Sequence, residues 1–520
     1  KYNKQTIAAK MTDVPGHTRS IIDPMYDAGI RLLHVGINSA CPLPSVPTFC
    51  RWRSPSGNDL LLVYQKDYGE DEVLPDGKTV VSINFTGDNH GPHSYERVKK
   101  IYADLRKRYP QAQLVGASFN DVARELLLIK KDLPVVTSEI GDTWIFGYGG
   151  APIRMAKFRA VSWLYSQWLN EGKIKKDSDV ALDFAAELGL IAEHTQGVDV
   201  KTHLRQWDKY DMDKFLKGRS EGVFSMAEAS WKEIDNYIDS AIAFLPASLQ
   251  KEAREVVAEV DKVKLEDNSK MKPMARKRWE QPIAGGMTLA GLSYQMFDGD
   301  DYDDFQNRYL RARYEWALDD LGKRGLKESH AVSVTLYAQT MAQSVRKEKK
   351  GTRIITELRF PENEKVDKRV YPERIQVNCF TTKNGKRSEV ALTIYGKPAV
   401  RLPESYWLSF TVPGIELVIA EKMGERVNLM DVVEKGNRQM HGIDRYVDLI
   451  TSGETIRISS KEAFLLNVGE AQGLNYSTNY PDKRKGVHFN LNNNLWGTNF
   501  SMWNEGSLTY LFVIETLSRK

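Results

Sequence analysis

Cysteine is scarce. Three residues in 520, Cys41, Cys50 and Cys379, are too few for a disulfide framework and lack the paired spacing of a zinc ribbon. Cys41 and Cys50 are placed to close a small loop in an oxidising compartment, though isolated thiols are the simpler expectation. Long apolar runs are missing too: no stretch approaches the roughly 18 residues of a membrane-spanning helix. Neither sign of charge prevails. Lys and Arg number 73 against 69 Asp and Glu, a net charge of +4, so nothing points to nucleic acid or an anionic membrane as a partner. No signal peptide is visible at the start, which opens on Lys1. Asn84, Asn475 and Asn499 begin Asn-x-Ser/Thr sequons, a pattern frequent by chance. Compartment stays open, with a periplasmic or secreted setting favoured, and a homo-oligomer is not excluded.

The length gives room for several domains with large cores. Up to about residue 200 strand-like and helix-like runs alternate, which predicts a parallel α/β core. Strands are expected at 6–11, 31–37, 60–64, 80–86, 112–117 and 134–138, and helices near 18–28, 94–108, 119–130, 153–170 and 180–191. From 205 to 265, Ala227, Trp231, Ile234, Ile238, Ala241 and Leu245 recur at helical spacing. Val256, Val260 and Val263 resume it after Pro246, predicting a helical hairpin or three-helix bundle. Beyond about 328 the period becomes two. Ile375, Val377 and Cys379 take alternate positions, as do Val390, Leu392 and Ile394, on either side of Asn384-Gly385. That is a hairpin signal, and further strands near 406–420, 456–466, 487–491 and 509–516 complete an antiparallel β-sandwich. The fold class is therefore multidomain α/β + α + β, divided at 1–204, 205–285 and 286–520.

Chemistry concentrates in the first part. His17, His34, His90, His93, His194 and His203 are six of the nine histidines. The strand 6–11 runs into Asp13-Val-Pro-Gly-His17, where Pro15-Gly16 forces a turn before the next helix. A carboxylate and an imidazole then stand at the carboxyl end of a strand, where α/β folds keep their chemistry. Local pattern alone also allows Asp13 to cap the helix and His17 to fill a loop hydrogen bond. The Pro- and Ser-rich stretch 38–58, with Phe49 and Trp52, reads as a long loop whose aromatics touch a ligand. Thr-Gly-Asp88-Asn89-His90-Gly follows the 80–86 strand as an active-site loop or a polar turn. Glu139, Asp142 and Trp144 precede the glycine-rich 147–150, which has neither the lysine of a P-loop nor dinucleotide spacing. Asp298 to Asp304 lacks the glycine and glutamate of a calcium loop and reads as an acid-rich helix start. The stretch 492–503 is either a loop reaching back to this site or a solvated turn.

Asp13-Val-Pro-Gly-His-Thr18, with the Asp27-Ala-Gly-Ile30 strand entry, resembles the Asp-Pro-Phe-Gly-His-Ser segment of the family-38 glycoside hydrolases, the α-mannosidases. Val14-Pro15 in place of Pro-Phe marks a divergent branch. Leu133-Pro-Val and Gly141-Asp142-Thr-Trp144 resemble that family's Leu-Pro-Val and Gly-Asp-Phe strand. Glu193-His194-Thr195, with Gly197, resembles its His-His-Asp-Gly segment. The resemblance implies a partial α/β barrel, a three-helix bundle and a β-sandwich, and a zinc-dependent retaining glycosidase acting on a carbohydrate. Asp13 would be nucleophile and zinc ligand, His194 the last zinc ligand, and Asp88 the acid/base, since Asn89 replaces the second aspartate of the family's Gly-Asp-Asp-Phe loop. His17, Trp52, Asn89, His90, Asp142 and Trp144 would contact substrate. The family's His-x-Asp zinc pair lies upstream of the nucleophile and has no counterpart before Asp13, so the amino-terminal part of the domain is expected to be missing. Two alternatives stay open: a catalytically silent carbohydrate-binding protein on the same scaffold, and a metal-dependent amide or ester hydrolase.

Overall fold

The computed structural model describes residues 5–87, 90–267, 269, 271–474 and 476–517. β1 (Ala8–Asp13), β2 (Leu32–Ile37) and β4 (Asp59–Gln65) run parallel, with β2 in the middle. β3 (Phe49–Arg53) adds antiparallel to β4, and the short strand Val135–Val136 closes the order β1-β2-β4-β3-(135–136). Every residue of β2 is buried because the sheet is covered on both faces, the rule for parallel sheets. The two-residue period sorts them. Leu33, Val35, Ile37, Leu60, Leu62 and Tyr64 pack on one side with Ile22 and Trp52, while Leu32, Leu61 and Val63 pack on the other with Ala123 and Leu126.

Two expected strands do not join this sheet. Val80–Ser82 pairs instead with Asp71–Val73 in a two-stranded ribbon. Residues 112–117 form no strand, and Val115 is 71 % exposed; Leu114 and Val115 are too small an apolar set to bury a face. Conversely, β3 lies inside the stretch read as a loop. Pro42, Pro44 and Pro47 upstream and Pro55 downstream hide a strand of five residues.

The helical layer comprises Pro152–Asn170, Asp179–Gly189, Ser225–Ala243 and Ala247–Asp261. Its core joins Val161, Trp168, Phe184, Ile238 and Leu249 to Trp407 and Leu465 of the sandwich. The helices of 152–189 thus pack with those that follow residue 205. Arg159 fastens the layer by donating to the carbonyls of Ile443, Asp444, Ser460 and Lys461.

The sandwich pairs a seven-stranded sheet, built around Thr288–Met296, Glu404–Thr411 and Val487–Asn493, with a ten-stranded one that contains Arg374–Thr382, Arg387–Lys397 and Gly506–Leu517. The hairpin turns at Asn384-Gly385, where Gly385 takes φ +64°. Phe410 and Phe512, one from each sheet, meet with ring centroids 5.4 Å apart in the shared core. The acid-rich 298–304 segment starts the helix Gly299–Tyr309, with Asp298 and Asp301 forming a capping box.

Candidate active site

Asp13 ends β1, and the parallel register sets it opposite Ile37. Asn38, the residue after β2, therefore lies beside it: its backbone N–H donates to the Asp13 carbonyl at 2.8 Å and its side-chain amide to Oδ1 at 2.9 Å. The Tyr68 hydroxyl donates to the same Oδ1 at 2.5 Å. Asp13 holds φ at +93°, a backbone strain that non-glycine residues adopt only where surroundings enforce it. Here Pro15-Gly16 turns the chain immediately, and Gly16 has no room for a side chain, since a Cβ would lie 2.6 Å from that of Asp142.

His194 arrives from the loop after the 179–189 helix, 181 residues downstream. Its Nε2 lies 3.4 Å from Asp13 Oδ2 and its Nδ1 2.6 Å from Glu193 Oε1. Hydrogen bonds to Asp13 and then Glu193 push His194 up to about 10, so the ring is an imidazolium at neutral pH. His194 in turn pulls Glu193 down to about 2. Burial alone would raise Asp13, but the bonds from His194, Tyr68 and Asn38 outweigh it and hold the carboxyl below its usual range. Asp13 is an ionised carboxylate whose Oδ1 accepts from Asn38 and Tyr68 and whose Oδ2 faces only His194, at 3.4 Å.

Behind His194 stands Trp144, with ring centroids 6.3 Å apart. Its indole N–H donates to the Tyr309 hydroxyl at 2.8 Å and lies 3.3 Å from Cys41 Sγ. Tyr309 donates to Asp142, 3.0 Å from Oδ1. Burial pushes Asp142 up to about 7, against the opposing bonds from the Trp144 backbone N–H and the Tyr309 hydroxyl. Trp496, from the stretch 492–503, packs 6.2 Å from Trp144, so that stretch does reach back to the site. All three cysteines are buried thiols, with no disulfide.

The structure thus brings Asp13, His194, Trp144 and Asp142 into one neighbourhood. Trp144 and Asp142 are 5 % and 8 % exposed, so they back the site rather than form its open face. His17 sits in the turn, paired through its backbone with Ile140. Both its ring nitrogens are buried, and burial lowers it to about 4. Trp52 is not at the site. It points into the sheet core, fully buried, with its indole N–H on the Ser138 carbonyl, because it belongs to a strand and not to a loop. Asp88 and Asn89 lie outside the described residues; His90 is exposed. Phe85, the last residue of the preceding apolar run, meets the Tyr68 ring edge-on at 5.5 Å. Asn38, Tyr68 and Tyr309 escaped the sequence reading, and Glu193 entered it only as the neighbour of His194 in a motif. Asn38 carried a usable signal, since it follows a parallel strand at the same sheet end as Asp13.

Zinc, which the resemblance implies, takes three or more protein ligands. Asp13 and His194 supply two. Among the described residues no group of three His, Cys, Asp or Glu side chains is arranged to hold a metal, and both nitrogens of His194 already face carboxylates. These residues do not by themselves fit the ion.

Residues 149–281 match the model of a family described as a domain of unknown function (DUF5054). No curated protein matches the chain. Among solved structures, the chain is similar to an alpha-mannosidase from Enterococcus faecalis V583, with a TM-score of 0.53 and 9 % identity, over 99 % of this chain and 75 % of that one. A protein in the glycosyl hydrolase family 38, also from Enterococcus faecalis, aligns with a TM-score of 0.44 and 10 % identity, over 98 % and 73 %. The chain carries an α-mannosidase-like fold, as its opening motif led one to expect.

Proposed function

We propose that the chain is a retaining glycoside hydrolase acting on an α-mannoside-like carbohydrate, with Asp13 as nucleophile. The observation that carries this reading is the state of Asp13: ionised, strained at φ +93°, and set at the carboxyl end of a parallel strand. Asn38 and Tyr68 fix Oδ1, leaving Oδ2 to attack the anomeric carbon. The glycosyl ester forms as the bond to the leaving oxygen breaks, and a second carboxyl, assigned here to Asp88, delivers the proton. Water then hydrolyses the ester with the same residue acting as base. The His194 imidazolium, 3.4 Å away, balances the charge of Asp13 and keeps it ionised until attack.

One observation favours a second reading, a carbohydrate-binding protein without turnover. Asp13 Oδ2, the oxygen that would have to attack, faces the His194 ring at 3.4 Å, and Glu193 holds that ring from the other side at 2.6 Å. Hydrolysis of 4-nitrophenyl glycosides separates the two, with the α-mannoside first and each assay run with added zinc and after chelation. The hydrolase reading expects turnover that falls by about 10³-fold or more in Asp13→Asn. Binding of the same glycosides with no turnover in the wild type would leave the binding protein. Turnover that survives Asp13→Asn unchanged would remove Asp13 from the chemistry.

A further inference from the structure

The turn that starts at Trp144 ends at Gly150 on the wall of a cavity of about 590 Å³. The cavity lies between the helices Pro152–Asn170 and Ser225–Ala243 and the 501–505 loop of the sandwich, within the size range of ligand sites. None of Asp13, Trp144 and His194 lines it. Apart from residues 501–505, its wall falls wholly within the 149–281 region that matches DUF5054.

Its lining is charged but balanced. Arg154 pairs with Asp235 at 2.6 Å, and Arg219 bridges Glu228 at 2.8 Å and Glu505 at 2.7 Å. Lys232, also on the wall, has no ion-pair partner among the described residues. Cations and anions facing one another give no net field to select a charged ligand. The two guanidiniums are spent on protein partners, but the Lys232 ammonium stands on the same wall as the half-exposed carboxylates of Asp235 and Glu505, and a vicinal diol needs donor and acceptor at once. Asn236 and Ser501 add further polar groups. Asn504, another wall residue, keeps its amide Nδ2 buried with no protein partner. Trp231 and Trp503, crossing edge to face at 4.7 Å, with Ile238 and Val257, supply apolar wall for the C–H face of a ring.

We propose that this cavity is a second carbohydrate-binding site, taking a neutral oligosaccharide unit independently of Asp13. It requires no turnover at Asp13. The test must leave the other site's framework alone, and Arg154 is therefore a poor probe. It also donates to Gln196 Oε1, and Gln196 Nε2 donates to the Glu193 carbonyl, so removing it would disturb the His194 loop. Asn236 and Lys232 are exposed and anchor nothing of that loop.

The experiment uses the full chain carrying Asp13→Asn. Saturation-transfer difference NMR and calorimetry are run with methyl α-mannoside, methyl α-glucoside, methyl β-galactoside and chitobiose. At least one sugar is expected to bind. Its affinity should fall tenfold or more when Asn236→Trp fills the cavity, and also when Lys232→Glu upsets the charge balance, with the melting temperature confirming that each variant folds. Failure of all four sugars to bind overturns the proposal, as does binding that neither substitution weakens. Turnover and labelling at Asp13 are read on the wild type, so the two sites stand or fall separately.

Discussion

In the seven-stranded sheet every residue of Val487–Asn493 is buried, whereas β1, the strand that carries Asp13, has no fully buried residue. The contrast extends outward. The helix Tyr95–Arg108, tied to the 71–82 ribbon through Arg108 and Asp71, buries only Leu105, with Tyr95 74 % exposed. The strand Glu404–Thr411 sets Leu408 and Phe410 in the sandwich core and Trp407 in the core shared with the helices, all at no exposure. Apolar burial is the main stabilising term, so the sandwich and its helical layer hold the molecule together. The α/β sheet carries the strained, charged residues, which are costly to place and are tolerated where surroundings over-determine them. The candidate site sits where the two meet. Asp13 comes from the sheet, while Tyr309 and Trp496, which support Trp144 and Asp142, come from the sandwich half.

Truncations test the contrast most strongly. Trp407→Ala removes a fully buried ring whose N–H donates to Gln295 at 2.9 Å, and should cost about 3–5 kcal/mol in urea unfolding. Leu105→Ala, on the helix with one buried residue, should cost about 2 kcal/mol or less. Equal losses at the two positions would erase the distinction drawn here.

The seam should respond at the next level. Gly149 lies where a Cβ would fall 2.2 Å from Asn493 Nδ2, the amide that donates to the Phe146 carbonyl. Gly149→Ala must displace that amide and loosen the turn behind Trp144. A loss of about 1–3 kcal/mol is expected, together with weaker ligand binding at the Asp13 site. A neutral result would mean that the sandwich does not hold the turn.

The smallest effect is one of pH. Asp142 is raised by burial to about 7, above its unfolded value near 3.8. Its neutral form fits the fold, so this contribution is complete below pH 3.8 and is lost as pH rises through 7. The melting temperature of the wild type should fall between pH 5 and pH 8 by more than that of Asp142→Asn. Parallel curves would show that Asp142 is already ionised in the folded protein.

Much of this was legible in the sequence. The Pro-Gly turn after a strand placed Asp13 at a sheet end, and the two-residue period with Asn384-Gly385 announced the sandwich. A short motif near residue 194 was enough to bring His194 to a carboxylate 181 residues away. Trp52 was misplaced because prolines on both sides mask a five-residue strand, and an aromatic in a loop looks like a ligand contact. The 80–86 and 112–117 runs have strand-like composition, but composition does not say whether a sheet edge awaits them. Tyr68 and Tyr309 were invisible for a different reason. Each serves the site by one hydroxyl delivered from a distant segment, and no local pattern marks such a residue.

The most direct measurement is the intact mass of the wild-type chain, with zinc present, after incubation with 5-fluoro glycosyl fluorides, the mannosyl reagent first. A covalent adduct is expected whose peptide map places the sugar on Asp13 and which Asp13→Asn does not form. An adduct on another carboxylate, or none from any sugar while the 4-nitrophenyl glycoside is turned over, would contradict Asp13 as the nucleophile.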